Sequence, residues 1–182
     1  MGKIEAGPVP PEGSPSKDAP SPPAVAWIEG VPEKPSFSMR TLTISQRGAQ
    51  FDPQFLVAVV GETLAMPNDD NIAHNVFSYS EAKQFNLGVY PKGESKSVVL
   101  DKPGKLDMFC SIHRHMHATV IIVPTSWYAE PDAEGNFAVR EIPAGSYTLK
   151  IWREGSKDFA KEISIPAEGE AHEAIKLEPA AE

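Results

Sequence analysis

Lys105-Leu106-Asp107-Met108-Phe109-Cys110-Ser111-Ile112-His113-Arg114-His115-Met116-His117-Ala118-Thr119-Val120-Ile121-Ile122-Val123 decides how this chain is read. Its two ends, Lys105 to Cys110 and Ala118 to Val123, are short β-type runs. Between them a thiol, an imidazole and a thioether stand at C-x2-H-x2-M spacing (Cys110, His113, Met116), with further imidazoles at His115 and His117. Thiolate, imidazole nitrogen and thioether sulfur together form the donor set that suits copper, above all a copper that cycles between Cu(I) and Cu(II). A trigonal site of this kind needs a second histidine from elsewhere. His74, in Asn71-Ile72-Ala73-His74-Asn75-Val76-Phe77, is the sole histidine before the loop. Four of the five histidines lie in these two segments, a concentration that packing does not require.

Outward from this loop the chain reads as short strands punctuated by turns. Thr41 to Ser45 alternates apolar and polar residues, as a half-buried strand does, and Phe55 to Val60 is continuously apolar. His74 to Tyr79 and Ser95 to Leu100 are further strands, and Asp101-Lys102-Pro103-Gly104 is a turn. Glu81 to Leu87 is read as a turn of helix. No segment holds a 3.6-residue apolar period long enough for a long helix, so the class is all-β, a sandwich.

Composition narrows the function classes. The 182 residues include 17 Lys and Arg against 25 Asp and Glu, a formal charge of -8. Nucleic acid as a partner would call for a basic stripe, which is lacking. The longest apolar run has six residues, against the roughly 20 of a membrane-spanning helix. A single cysteine excludes an internal disulfide. Nine of the eighteen prolines fall within the first 36 residues, so residues 1–36 are expected to be a flexible, proline-rich tether whose only bulky apolar pair, Trp27 and Ile28, either docks on the body of the protein or stays disordered with the rest. Deleting residues 1–30 should then leave stability unchanged. Residues 37–124 form the unit with the histidines and cysteine. Residues 125–182 form a second β-unit, small for an independent core.

The first unit resembles the cupredoxins, the small blue copper proteins with a Greek-key β-sandwich fold. The resemblance rests on a lone histidine followed by Asn at the head of a strand, then an apolar-x-Cys-x-x-His-x-x-Met loop most similar to the amicyanin type among plastocyanin-like loops. It implies one mononuclear type 1 copper with equatorial ligands His74, Cys110 and His113 and a long axial Met116. It also implies that the Asn75 side chain ties to Ser111 beside the cysteine. The function implied is non-enzymatic electron transfer to a redox protein such as a cytochrome or an oxidase, in the periplasm or otherwise outside the cytoplasm. The acidic charge suggests a transient partner with a basic surface, and the tether would hold the carrier near a membrane or that partner. The alternatives are a copper-handling protein, chaperone or sensor, and a metal-free β-sandwich scaffold or adhesion module.

Two departures from the family pattern bear on the site. Ile112 stands where a proline commonly precedes the second histidine. His115 and His117 are extra potential metal ligands: in a strand, positions 113, 115 and 117 would face one way and could make a separate imidazole site, whereas in a tight loop they need not. The loop reading is preferred because the thiolate favours copper. Met39, Met66 and Met108 are read as core, His172 as exposed, and Asp69-Asp70 as loop caps. Asp132-x-x-Gly135-x-Phe137-x-Val139 through Ile142-Pro143-Ala144-Gly145 to Trp152 resembles the carboxypeptidase-regulatory-like, or transthyretin-like, β-sandwich module. There Phe137, Tyr147, Leu149 and Ile151 would fill a core, and no peptidase ligands or nucleophile set are present.

Overall fold

Period-2 alternation of apolar and polar residues is carried into the structure as strands; among the described residues there is no helix. The computed structural model describes residues 2–7 (backbone), 22–32 and 39–180. In chain order the strands are β1 (Gly2–Gly7), β2 (Ala24–Glu29), β3 (Thr41–Thr43), β4 (Ser45–Arg47), β5 (Gln50–Asp52), β6 (Phe55–Val59), β7 (Thr63–Pro67), β8 (His74–Ser80) and β9 (Lys83–Tyr90). They continue with β10 (Ser95–Val99), β11 (Gly104–Phe109), β12 (His117–Val123), β13 (Tyr128–Ala129), β14 (Phe137–Ile142), β15 (Gly145–Arg153), β16 (Phe159–Ile165) and β17 (Glu170–Ala174). They divide into two units, Ser36–Pro124 and Met1–Pro35 with Thr125–Glu182.

In the first unit a five-stranded sheet, β6-β12-β11-β8-β9, and a three-stranded sheet, β10-β7-β3, contribute to one apolar cluster. The chain crosses between the sheets at β6–β7, β7–β8, β9–β10 and β10–β11, the Greek-key manner of building a sandwich. Leu64 and Met66 of β7 share that cluster with Val76 of β8, Leu106 and Met108 of β11, and Val120 and Ile122 of β12. In β11 the pleat sends Leu106 and Met108 inward while Asp107 and Phe109 face away, so Cys110, next on the inner side, is only 3% exposed. In β8 the same rule turns His74, Val76 and Ser78 inward. These two strands are neighbours, antiparallel, with Phe77 opposite Phe109.

Two expectations are corrected here. Glu81 to Leu87 is not a turn of helix: most of it lies in β9, the edge strand paired with β8 from Ser80–Lys83 to His74–Tyr90. The reason is its own alternation, in which Phe85 and Leu87 pack on the core while Gln84 and Asn86 face solvent. Met39, read as core, is 64% exposed.

The second unit pairs a four-stranded sheet, β13-β2-β15-β16, with a three-stranded one, β14-β1-β17. Phe137, Tyr147, Leu149 and Ile151 are buried in its core, as the motif required. Its core also takes Ala26 and Ile28 from β2. The tether therefore does not extend over residues 1–36. Ala24-Val25-Ala26-Trp27-Ile28-Glu29 contains no proline, and it pairs along β15 from Ala24–Arg153 to Glu29–Thr148, with Val25, Ala26 and Ile28 fully buried. The backbone of β1 likewise lies between β14 and β17. The C-terminal segment, small for a core of its own, is completed by two strands from the chain's start. The proline-rich residues 8–21 lie outside the described residues.

Ile28→Ala is accordingly expected to cost about 3 kcal/mol, the usual penalty for truncating a fully buried aliphatic side chain. All three tryptophans (Trp27, Trp127, Trp152) belong to this unit, so their fluorescence in a urea titration reads its unfolding. A change under about 0.5 kcal/mol, the scale of a surface substitution, would show that β2 does not contribute to the core.

Candidate metal centre

At the end of the sandwich where β11 stops and β8 begins, His74, Cys110 and His113 offer ligand atoms that all lie within 4.8 Å of one another. Among the described residues no other three His, Cys, Asp or Glu side chains converge in this way. The Nδ1 atoms of His74 and His113 are 3.0 Å apart, and Cys110 Sγ is 3.9 Å from His113 Nδ1. The register that sets Phe109 opposite Phe77, continued past the strand end, brings the turn after Cys110 alongside His74. His74 is fully buried and His113 half-buried, so the group opens to solvent on the His113 side.

The tautomer of His74 follows from its partner. Asp70 Oδ2 is 2.8 Å from His74 Nε2. Burial pushes the Asp70 carboxyl up, but bonds from the Ala49 N–H, from His74 and from the Gly48 N–H outweigh that and hold it below its ordinary value. An ionised carboxylate only accepts, so Nε2 carries the proton and Nδ1 keeps its lone pair, aimed at Cys110 and His113. Carboxylate–imidazole pairs of this kind orient metal-ligating histidines. From sequence alone Asp70 is expected only as a loop cap. It is one, through Gly48 and Ala49, and it also orients His74.

The remaining candidates are placed as follows. The Ser111 N–H donates to Asn75 Oδ1 at 3.2 Å, and Asn75 Nδ2 donates to Asn86 Oδ1. Met116 is buried in the same apolar cluster as Cys110, and its N–H donates to the His113 carbonyl, closing the loop into a tight turn. His115 and His117 are not among the three converging side chains, although the His115 ring lies edge-on to that of His113, with centroids 6.2 Å apart. His115 Nε2 donates to the Ala49 carbonyl at 2.9 Å, while His117 Nε2 is 3.0 Å from Asp107 and its ring stacks on Phe109. Because β12 begins only at His117, positions 113, 115 and 117 do not share a strand face.

A buried polar network backs the centre, and no local sequence pattern announces it. Tyr90 stands opposite His74 in the β8–β9 ladder. Its hydroxyl accepts from Gln46 Nε2 at 2.6 Å and donates to the Met66 carbonyl at 2.8 Å. Asn68 Nδ2 donates to the Tyr90 and Ile72 carbonyls. Burial pushes the Tyr90 hydroxyl up to about 12; the bond from Gln46 opposes the shift and negative charge on Cys110 adds to it.

No protein-family model matches this chain, and no curated protein matches it. Part of the chain is similar to solved structures. A Cu(I) amicyanin variant is 17% identical, the match covering 54% of this chain and 98% of that one at a TM-score of 0.43. A reduced amicyanin variant gives 17%, 54%, 98% and 0.44. A purple cupredoxin from Nitrosopumilus maritimus gives 23%, 45%, 99% and 0.41.

Tyr90 sets an alkaline limit. Its value is raised on folding from 10.0 to about 12, so the stability it contributes is complete below pH 10 and lost as the pH rises through about 12. In Tyr90→Phe that loss should vanish from an alkaline denaturation series followed by circular dichroism. An identical alkaline profile in wild type and variant would contradict it.

Proposed function

We propose that this protein is a type 1 copper electron carrier, with one copper held by His74, Cys110 and His113 and a weaker axial contact from Met116. The observation that carries the reading is the convergence of two imidazole Nδ1 atoms and one thiol sulfur in a largely buried cluster. The donor set fits copper, since thiolate and imidazole suit a soft-to-borderline ion and the apolar cluster around Cys110 and Met116 excludes water. Bound copper would supply one-electron chemistry between Cu(I) and Cu(II). The residues themselves do the positioning. Asp70 fixes the His74 lone pair, Asn75 holds the Ser111 backbone next to Cys110, and the turn ending at Met116 fixes His113. Ligands fixed before the ion binds leave little to rearrange when its charge changes.

Half-buried His113, with exposed Ile112 next to it and exposed Ile72 two residues before His74, supports an apolar exit for the electron toward a redox protein such as a cytochrome or oxidase. The acidic excess does not belong to this unit. Between Ser36 and Pro124 eight Asp and Glu are balanced by eight Lys and Arg, so the whole net charge of -8 lies in the other unit. A partner meeting the copper unit is therefore engaged by apolar contact, and any attraction for a basic surface acts through the second unit. That second unit, which resembles the carboxypeptidase-regulatory-like module, serves as a non-catalytic support. The place of action proposed is outside the cytoplasm. Among the described residues no helix is long and apolar enough to cross a membrane.

Copper(II) added to pure protein should give one equivalent of an intense thiolate-to-copper visible band that ascorbate bleaches and air or ferricyanide restores. Absence of stoichiometric uptake would remove the reading. Cys110→Ser should abolish the band, and Met116→Gln should keep it while lowering the potential. His113→Ala should lose the band and His115→Ala keep it; the reverse result would reassign the second histidine. Asp70→Ala should weaken copper affinity by about 10- to 100-fold, the usual effect of removing the carboxylate behind a ligating histidine. An unchanged affinity would mean that Asp70 is only a loop cap.

A further inference from the structure

We infer that the tip of the β4–β5 hairpin is a clasp that holds the candidate centre closed before any ion binds, and that His115 is the positioning residue that fastens it. The inference rests on reading His74, Cys110 and His113 as a metal centre. Gly48 and Ala49 form the two-residue tip between the paired residues Arg47 and Gln50. Both are left-handed, with φ of 62° and 54°, which suits the twist of a tight hairpin but is rarely adopted by a residue that carries a side chain. This conformation turns the two successive amides toward Asp70: Gly48 N–H donates to Oδ1 and Ala49 N–H to Oδ2, each at 2.7 Å. Oδ2 also takes the His74 Nε2 proton. The hairpin is bound further to the same loop by the Ser45 hydroxyl and Arg47 on Asp69, and by the Asp69 N–H on the Gln46 carbonyl.

On its other side the tip meets the second ligand loop. The Ala49 carbonyl accepts from His115 Nε2 at 2.9 Å, midway between His113 and His117 in a loop whose turn is closed by the Met116 N–H on the His113 carbonyl. One dipeptide thus touches both ligand-bearing segments, Asp70–His74 through its amides and Cys110–Met116 through its carbonyl. A carbonyl only accepts, so Nε2 of His115 must carry a proton and cannot be a ligand atom while the clasp is closed. That gives His115 a definite task in a position where the spacing alone suggested an extra ligand.

The test uses the full metal-free chain, so it does not depend on copper. Amide hydrogen exchange is measured for wild type, His115→Ala and His115→Gln, the glutamine amide being able to donate to the same carbonyl. His115→Ala should speed exchange at Met116 about fivefold to tenfold, the scale of one lost hydrogen bond, with Leu106 and Val120 unchanged. His115→Gln should recover most of the protection. Unchanged exchange at Met116 in His115→Ala, or a glutamine variant no better than alanine, would overturn the clasp. Copper titration of the wild type is run alongside: no uptake with the exchange pattern intact removes the metal reading and leaves the clasp supported, whereas uptake with an unaltered Met116 amide removes the clasp alone.

Discussion

In the five-stranded sheet β8 and β11 run antiparallel with Phe77 opposite Phe109, and that register decides which side chains meet at the sheet's end. The pleat then does the rest. Leu106, Met108 and Cys110 must lie on one face, and His74, Val76 and Ser78 on one face, and the apolar cluster between the two sheets fixes which face that is. A slip of one residue in either strand would turn the thiol or the first imidazole to solvent and bring Asp107, Phe109 or Asn75 into its place. The core that stabilises the sandwich and the register that assembles the centre are therefore the same set of contacts.

Bringing two imidazole nitrogens within 3.0 Å of each other beside a thiol at the edge of an apolar cluster requires that their polar surroundings hold them in place. A polar surround holds them. Asp70 is held ionised by two backbone amides and fixes His74, Asn75 bridges Asn86 to Ser111, and Gln46, Asn68 and Tyr90 satisfy the carbonyls behind the β7 end. Each of these side chains has its geometry set by partners from more than one segment of the chain, so none can relax alone.

Much of this was legible in the chain itself. The alternation of β8 and β11, the continuous apolar run of β6 and the C-x2-H-x2-M spacing point to the sandwich and to the three converging residues. What failed did so for identifiable reasons. β9 is hard to see in the sequence because its polar Lys83, Gln84 and Asn86 obscure the inward Phe85 and Leu87, and only pairing with β8 reveals the period. The proline-rich neighbours of residues 24–29 mask this short stretch, which is itself proline-free and docks on β15. Asp70, Ala49 and His115 were opaque because their partners lie 4, 21 and 66 positions away, and only the closed sandwich brings the last two pairs together. The charge read from the whole chain also changed meaning once divided, since the unit with the centre is formally neutral.

The central claim is that one copper is held by one sulfur and two imidazoles from His74, Cys110 and His113. X-ray absorption at the copper edge of the copper-loaded full chain tests it most directly. A shell of one short copper–sulfur bond with two imidazole nitrogens, losing its sulfur in Cys110→Ser, is the expected result. A shell of nitrogen and oxygen alone in the wild-type protein would contradict it.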